Sequence, residues 1–154
     1  MRVGWKVGLN IAEMEEVMGT EPVFGYLTSA TRLEPGSTFH TRGVRSLRAE
    51  SEVAVEFGRV VRTVDDPETV RAAVAGLATA LELVDVDPPV DGFEEVVADN
   101  AYHRAFVLGP TRRIAPGTRL VSTCRVNGEL RDLGTTSEDF AAKLVGYRAT
   151  VGGG

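Results

Sequence analysis

The stretch Ala49 to Val61, with "RAESEVAVEFG" at its heart, constrains the fold of this chain more than any other. Polar and apolar residues alternate along it, and successive side chains of a β-strand point to opposite faces. Glu50, Glu52, Ala54 and Glu56 therefore share one face of a long strand, and Val53, Val55 and Phe57 share the other. Carboxylates that close on one face repel unless solvent or a cation compensates them. A solvated strand face satisfies the pattern, and so does a bound cation.

Elements of both kinds surround this strand. Val3 to Leu9 reads as a short strand, followed by a helix that Asn10 caps with Glu13 completing the pair. That helix has Ile11, Met14, Val17 and Met18 on one face and stops at Gly19. Pro22 to Leu33 is extended, and Glu34-Pro35-Gly36 is a turn. Asp66-Pro67-Glu68 starts a second helix, with Pro in its first turn and acid at the positive end of the dipole. The pattern carries this helix through "TVRAAVAGLATAL" into a buried strand at "LELVDVD", after which Asp87 to Gly92 is a Pro-rich loop. "RAFVLG" and "TRLVSTCRV" read as strands, with a hairpin turn at Asn127-Gly128. Ser137 caps a third helix bearing Phe140, Leu144, Tyr147 and Val151 at helical spacing. The expectation is one strand-rich α+β domain, residues 1–154, with three helices.

Charge and cysteine content narrow the function classes. A formal net charge of -5 with no basic stripe argues against nucleic acid or an anionic membrane as partner. One cysteine, Cys124, excludes an internal disulfide and suits a reducing compartment. With neither a secretory leader pattern nor an apolar run of membrane-spanning length, a cytoplasmic protein is expected.

Two residues stand out chemically. Glu82 lies in "LATALELVDV" among leucines and valines, where an isolated ionised carboxylate is costly. It needs a partner, either a structural arginine or a divalent cation shared with other carboxylates such as Glu50 and Glu52. Three carboxylates plus water suit Mg²⁺ or Mn²⁺. The second is Lys6. Lys6 and Lys143 are the only lysines among 17 basic residues, the rest being arginine. In "GWKVG" the alternation puts Gly4, Lys6 and Gly8 on one face, which leaves room for a ligand at the ammonium. Desolvation or a neighbouring metal would suit such a lysine to proton transfer. A surface lysine at a Gly-rich strand end is the plainer alternative.

Taken in order, "GWKVGLN", "MEEVMG", "PVFGYLTS", "ESEVAVEFG", "ALELVD", "VADNAYHRAFVLG" and "RVNGELRDLG" resemble the fumarylacetoacetate hydrolase superfamily over nearly the whole chain. Within it the chain looks like the branch of the 2-hydroxypentadienoate (2-keto-4-pentenoate) hydratases and oxalocrotonate decarboxylases. The resemblance implies mixed sheets rolled into a β-sandwich or barrel-like body. It implies Mg²⁺ or Mn²⁺ on Glu50, Glu52 and Glu82, and Lys6 as the acid/base or substrate-binding residue. The implied function is a metal-dependent lyase or hydratase acting through the enolate of a 2-oxo acid, in a homodimer or higher oligomer. Gly8, Asn100 and His103 are the expected substrate-side residues.

The chain also departs from that family. Where relatives often carry an acidic pair it has Thr28-Ser29-Ala30-Thr31, and where many read "VDSR" it has Val84-Asp85-Val86-Asp87. Relatives usually begin with a further helical segment and continue into strands past the last helix, so the expectation is either a truncated piece or a pared-down member of the family. A biosynthetic cyclase or isomerase, or a non-catalytic partner subunit, is the alternative that these departures leave open. His103 also fits a structural histidine, and Asp99-Asn100 either shapes the pocket or ends a helix. Trp5, Val7 and Cys124 are expected in the core, and His40 in a loop.

Overall fold

A computed structural model describes residues 1–8, 22–62, 65–86, 93–113 and 121–135. The helices expected after Asn10 and after Ser137, and the loop Asp87 to Gly92, lie outside the described residues. Strands dominate the rest: β1 (Arg2–Gly8), β2 (Val23–Thr28), β3 (Arg32–Leu33), β4 (Leu47–Phe57), β5 (Val74–Asp85), β6 (His103–Leu108), β7 (Val121–Val126) and β8 (Glu129–Thr135). The two described helices are α1 (Pro67–Ala73) and α2 (Phe93–Ala98). Among the described residues no helix is long and apolar enough to cross a membrane. The strands form three sheets: β1-β2, β3-β6-β5-β4 and β7-β8.

The chain divides into two compact units, the first made of Met1–Glu50 and Leu81–Val107, the second of Ser51–Ala80 and Leu108–Gly154. In the first unit β1 and β2 are antiparallel, with Lys6 opposite Gly25 and Gly8 opposite Val23. Its core joins Val23, Val84, Val96, Ala101 and Tyr102, with Val86 packed against them. β3 lies parallel to β6, Arg32 opposite Phe106. Asp85 fixes the start of β4: its Oδ1 accepts from Arg45 N (3.0 Å) and Ser46 N (2.7 Å), and Val86 N donates to Ser46 O (3.2 Å).

The second unit shows the clearest difference from the sequence reading. Asp66 caps α1 as expected, its Oδ1 accepting from Thr69 N at 2.8 Å. The helix ends at Ala73, however, and the twelve residues Val74–Asp85 are all strand. Backbone pairing overrides alanine's helical preference here. Gly58 N donates to Ala73 O (2.8 Å), Leu77 and Arg112 exchange two backbone bonds (2.9 and 2.8 Å), and Gly109 N donates to Thr79 O (2.8 Å). Gly76 marks a close approach of two backbones, since a Cβ there would lie 2.7 Å from Arg112 O. The hairpin at Asn127-Gly128 forms as expected, with φ of 54° and 83°.

Candidate active site

β1 carries Lys6 and β5 carries Glu82, and the first unit brings them together. Lys6 Nζ donates to Glu82 Oε1 at 2.5 Å and to Ala101 O at 3.2 Å. Both side chains are over nine-tenths buried. His103, at the start of β6, places Nδ1 2.7 Å from the same Oε1. An ionised carboxylate can only accept, so Nδ1 carries the hydrogen of that bond. His103 Nε2 lies 3.0 Å from Thr31 Oγ1, and Thr28 O, at 3.2 Å from the same hydroxyl, competes with it for the one hydrogen. The partner that Glu82 needed is thus a lysine and a histidine rather than an arginine. Burial pushes the Glu82 carboxyl up, but the hydrogen bonds from His103 and Lys6, with their charge, outweigh it and hold it below the usual range.

A turn after α2 makes this convergence. Asn100, Ala101 and Tyr102 are consecutive left-handed residues, with φ of 53°, 50° and 59°. Each non-glycine residue there costs about 1 kcal/mol or more. The turn is held by Ala101 N to Val96 O (2.7 Å), Tyr102 N to Asp99 O (2.9 Å) and Asp85 N to Tyr102 O (3.0 Å). It aims Ala101 O at Lys6 and delivers His103 to Glu82. Asn100 clamps β2, Oδ1 accepting from Tyr26 N (2.8 Å) and Nδ2 donating to Tyr26 O (2.9 Å). Asp99-Asn100 therefore both ends α2 and shapes the pocket.

The room around Lys6 has a different source from the one expected. Cβ atoms at Gly4 and Gly8 would make ordinary contacts, 3.7 Å to Leu27 and 3.5 Å to Ala101. At Gly25, directly opposite, a Cβ would lie 2.7 Å from Asn100 Oδ1 and 2.9 Å from Lys6 Cγ. Gly25 is the glycine that the site requires, and sequence reasoning passed over it although it stands in "PVFGYL". Trp5 is 40% exposed rather than in the core, with the Arg2 guanidinium 4.3 Å from its ring centre. Val7 and Cys124 are half-buried, and His40 is an exposed loop residue.

Glu50 lies in the first unit with Glu82, whereas Glu52 belongs to the second. β4 lies beside β5 in the sheet, and Glu50 comes close enough to Glu82 for their charges to interact. Glu50 is exposed as a residue. Even so, the protein around its carboxyl, and next the Glu82 charge, hold it above the ordinary carboxylate range against the pull of Lys6 and Arg48. Among the described residues, no group of three or more His, Cys, Asp or Glu is gathered so as to hold a metal ion. Beside His103 opens a cleft of about 340 Å³, lined by Tyr26, Thr28 and Thr31 and by Asp99, Asn100 and His103.

Comparison with known proteins agrees with this arrangement of strands. The family model described as fumarylacetoacetate (FAA) hydrolase C-terminal matches residues 5–141. The chain belongs to the fumarylacetoacetate hydrolase family.

Solved structures of this fold include 4-oxalocrotonate decarboxylase from Pseudomonas putida G7, complexed with magnesium and adipate (TM-score 0.71, 23% identity, 94% of this chain and 56% of that one). The same decarboxylase has been solved with calcium and acetate. Two others are 5-carboxymethyl-2-hydroxymuconate delta-isomerase from Mycobacterium smegmatis (0.68, 20%, 96% and 61%) and fumarylacetoacetate hydrolase from Exiguobacterium antarcticum (0.66, 22%, 96% and 57%). The chain thus spans little more than half the length of each of these solved chains. No curated protein matches its sequence.

Proposed function

We propose that this chain supplies the active site of a divalent-metal-dependent lyase that works through the enolate of a 2-oxo acid, as a hydratase or decarboxylase. The observation that carries this reading is the buried Lys6–Glu82 pair with Glu50 beside it. The donor set suits a hard dication. Both contacts to Glu82 fall on Oε1, and Oε2 takes part in neither. Glu50 and Glu82 repel across a shared space. Mg²⁺ needs only one or two carboxylates, with waters and substrate oxygens completing its shell. Glu82 and Glu50 would hold the ion, with Glu52 as the third ligand that the family resemblance implies. Magnesium in the decarboxylase relative supports the choice of metal.

When bound, a dication there supplies the positive charge that a 2-oxo acid's developing enolate requires. The remaining work falls to this chain's residues. Lys6 Nζ is the group placed to hold or move a proton, steered by Ala101 O. His103 orients Glu82 through Nδ1 and is steadied by Thr31 through Nε2. Hydration, decarboxylation and isomerisation share the enolate, so the same residues serve any of them. A biosynthetic isomerase or cyclase is the second reading, favoured by Thr28 and Thr31 at positions where an acidic pair was expected. The reading also takes the partner to be a small 2-oxo acid, and the assembly a homodimer or higher oligomer with its sheets rolled into a barrel-like body.

The test is solvent-deuterium exchange at C3 of simple 2-oxo acids, followed by proton NMR with and without Mg²⁺. Exchange that needs Mg²⁺ and disappears in Lys6→Met is the expected result. Exchange no faster than in buffer containing Mg²⁺ alone would overturn the proposal.

A further inference from the structure

The cleft beside His103 carries chemistry of its own. Three hydroxyl-bearing residues, Tyr26, Thr28 and Thr31, line it, and Thr28 and Thr31 stand 3.3 Å apart, Oγ1 to Oγ1. A hydroxyl both donates and accepts, so this wall matches a hydroxyl, carbonyl or amide. Of the described residues that line the cleft, Asp99 carries the one formal charge, and its cation is already engaged. Arg104 holds Asp99 with two nitrogens, Nη1 to Oδ1 at 3.2 Å and Nη2 to Oδ2 at 2.7 Å. Its Nη1 also donates to His103 O (3.0 Å), and its Nε lies 3.8 Å from Asp85 Oδ2. Two carboxylates therefore already claim that one guanidinium. Asn100 spends both ends of its amide on the Tyr26 backbone. An anionic group entering here would face Asp99 without recruiting Arg104, whereas a neutral polar group would meet hydroxyls.

We infer that this cleft receives the distal end of the substrate, and that this end is a neutral hydroxyl- or carbonyl-bearing group rather than a second carboxylate. The inference rests on the 2-oxo acid reading above and adds the substrate class to it. Tyr26 and Thr28 become specificity-determining residues. Among the described residues neither side chain hydrogen-bonds to Glu82 or Lys6, so the selection is separate from the proton-handling groups.

The experiment compares three ligands on the full chain with Mg²⁺ by calorimetric titration: oxalate, 2-oxohexanedioate and 6-hydroxy-2-oxohexanoate. The last two share a length and differ only at the far end. The expected result is tighter binding of the hydroxy acid by about tenfold, the ratio that 1.4 kcal/mol represents. Tyr26→Arg, at an exposed position where folding is little at risk, should reverse the order by giving the dicarboxylate a free cation. Equal or tighter binding of the dicarboxylate to the wild type overturns the inference. Oxalate binding without either longer acid overturns it too, while leaving the metal-dependent reading standing. If oxalate also fails to bind, both fall together.

Discussion

Lys6 Nζ donates to Glu82 Oε1 across 76 residues of sequence, with both side chains buried. Taking two charges out of water is expensive, and breaking such a pair strands the survivor. Glu82→Gln and Lys6→Met should each lower the unfolding free energy by about 3 kcal/mol. The double variant should lose much less than the sum, because neither charge is then left alone. Urea unfolding of all four proteins gives the coupling directly.

The pH dependence follows from opposite shifts on neighbouring glutamates. Glu82 is held low, so its stabilisation is complete above its unfolded value near pH 4.5 and fades as pH falls through its lower folded value. Glu50 is held high, so its ionisation works against folding once pH rises through its folded value. At pH 7 without metal, Glu50→Gln should therefore raise stability by up to about 0.5 kcal/mol, the scale of surface substitutions. The gain should vanish below about pH 4.5. Melting curves from pH 3.5 to 8 would show it, and a loss of stability at pH 7 would count against the pairing.

His103 should carry hydrogen on Nδ1 at neutral pH, because Glu82 can only accept there. Nitrogen-15 NMR of the imidazole reads this tautomer. In Glu82→Gln the preference should weaken, and Thr31→Val should cost about 1 kcal/mol by removing the hydroxyl at Nε2. An Nδ1 without hydrogen in the wild type would contradict the assignment.

Gly25→Ala should be more damaging than Gly4→Ala or Gly8→Ala. The new methyl at position 25 must displace Asn100 and the Lys6 stem, whereas the other two meet only ordinary contacts. A loss of about 1–3 kcal/mol, the usual scale for overpacking, is expected at Gly25 alone. Thermal melts of the three variants decide it.

Local signals in the sequence were legible where local chemistry decides the structure. Asp66-Pro67 announced α1 because a capping carboxylate and a fixed proline φ act within one turn. The alternation of β1 placed Lys6, and the apolar neighbours of Glu82 announced a buried carboxylate that needed a partner. That partner was not legible, because Lys6 and Glu82 stand 76 residues apart and meet only in the folded chain, beside the turn at Asn100 to Tyr102. Three left-handed residues without a glycine leave no trace in composition. The run from Val74 misled because alanine and leucine suit a helix, and only pairing with strands elsewhere makes it β5. Gly76, packed on the Arg112 backbone, was the one sign against a helix. Trp5 looked like core on alternation alone, yet an arginine over its ring lets it stay at the surface.

The central claim is that Glu50 and Glu82, with the buried Lys6 bonded to Glu82, form a seat for a hard dication. Calorimetric titration of Mg²⁺ into the wild type and Glu82→Gln, repeated with oxalate present, tests it most directly. The account predicts one ion per chain for the wild type, tighter binding with oxalate, and no binding by the variant although it stays folded at the assay temperature. Equal Mg²⁺ binding by both proteins, or none by the wild type at millimolar concentration, would contradict it.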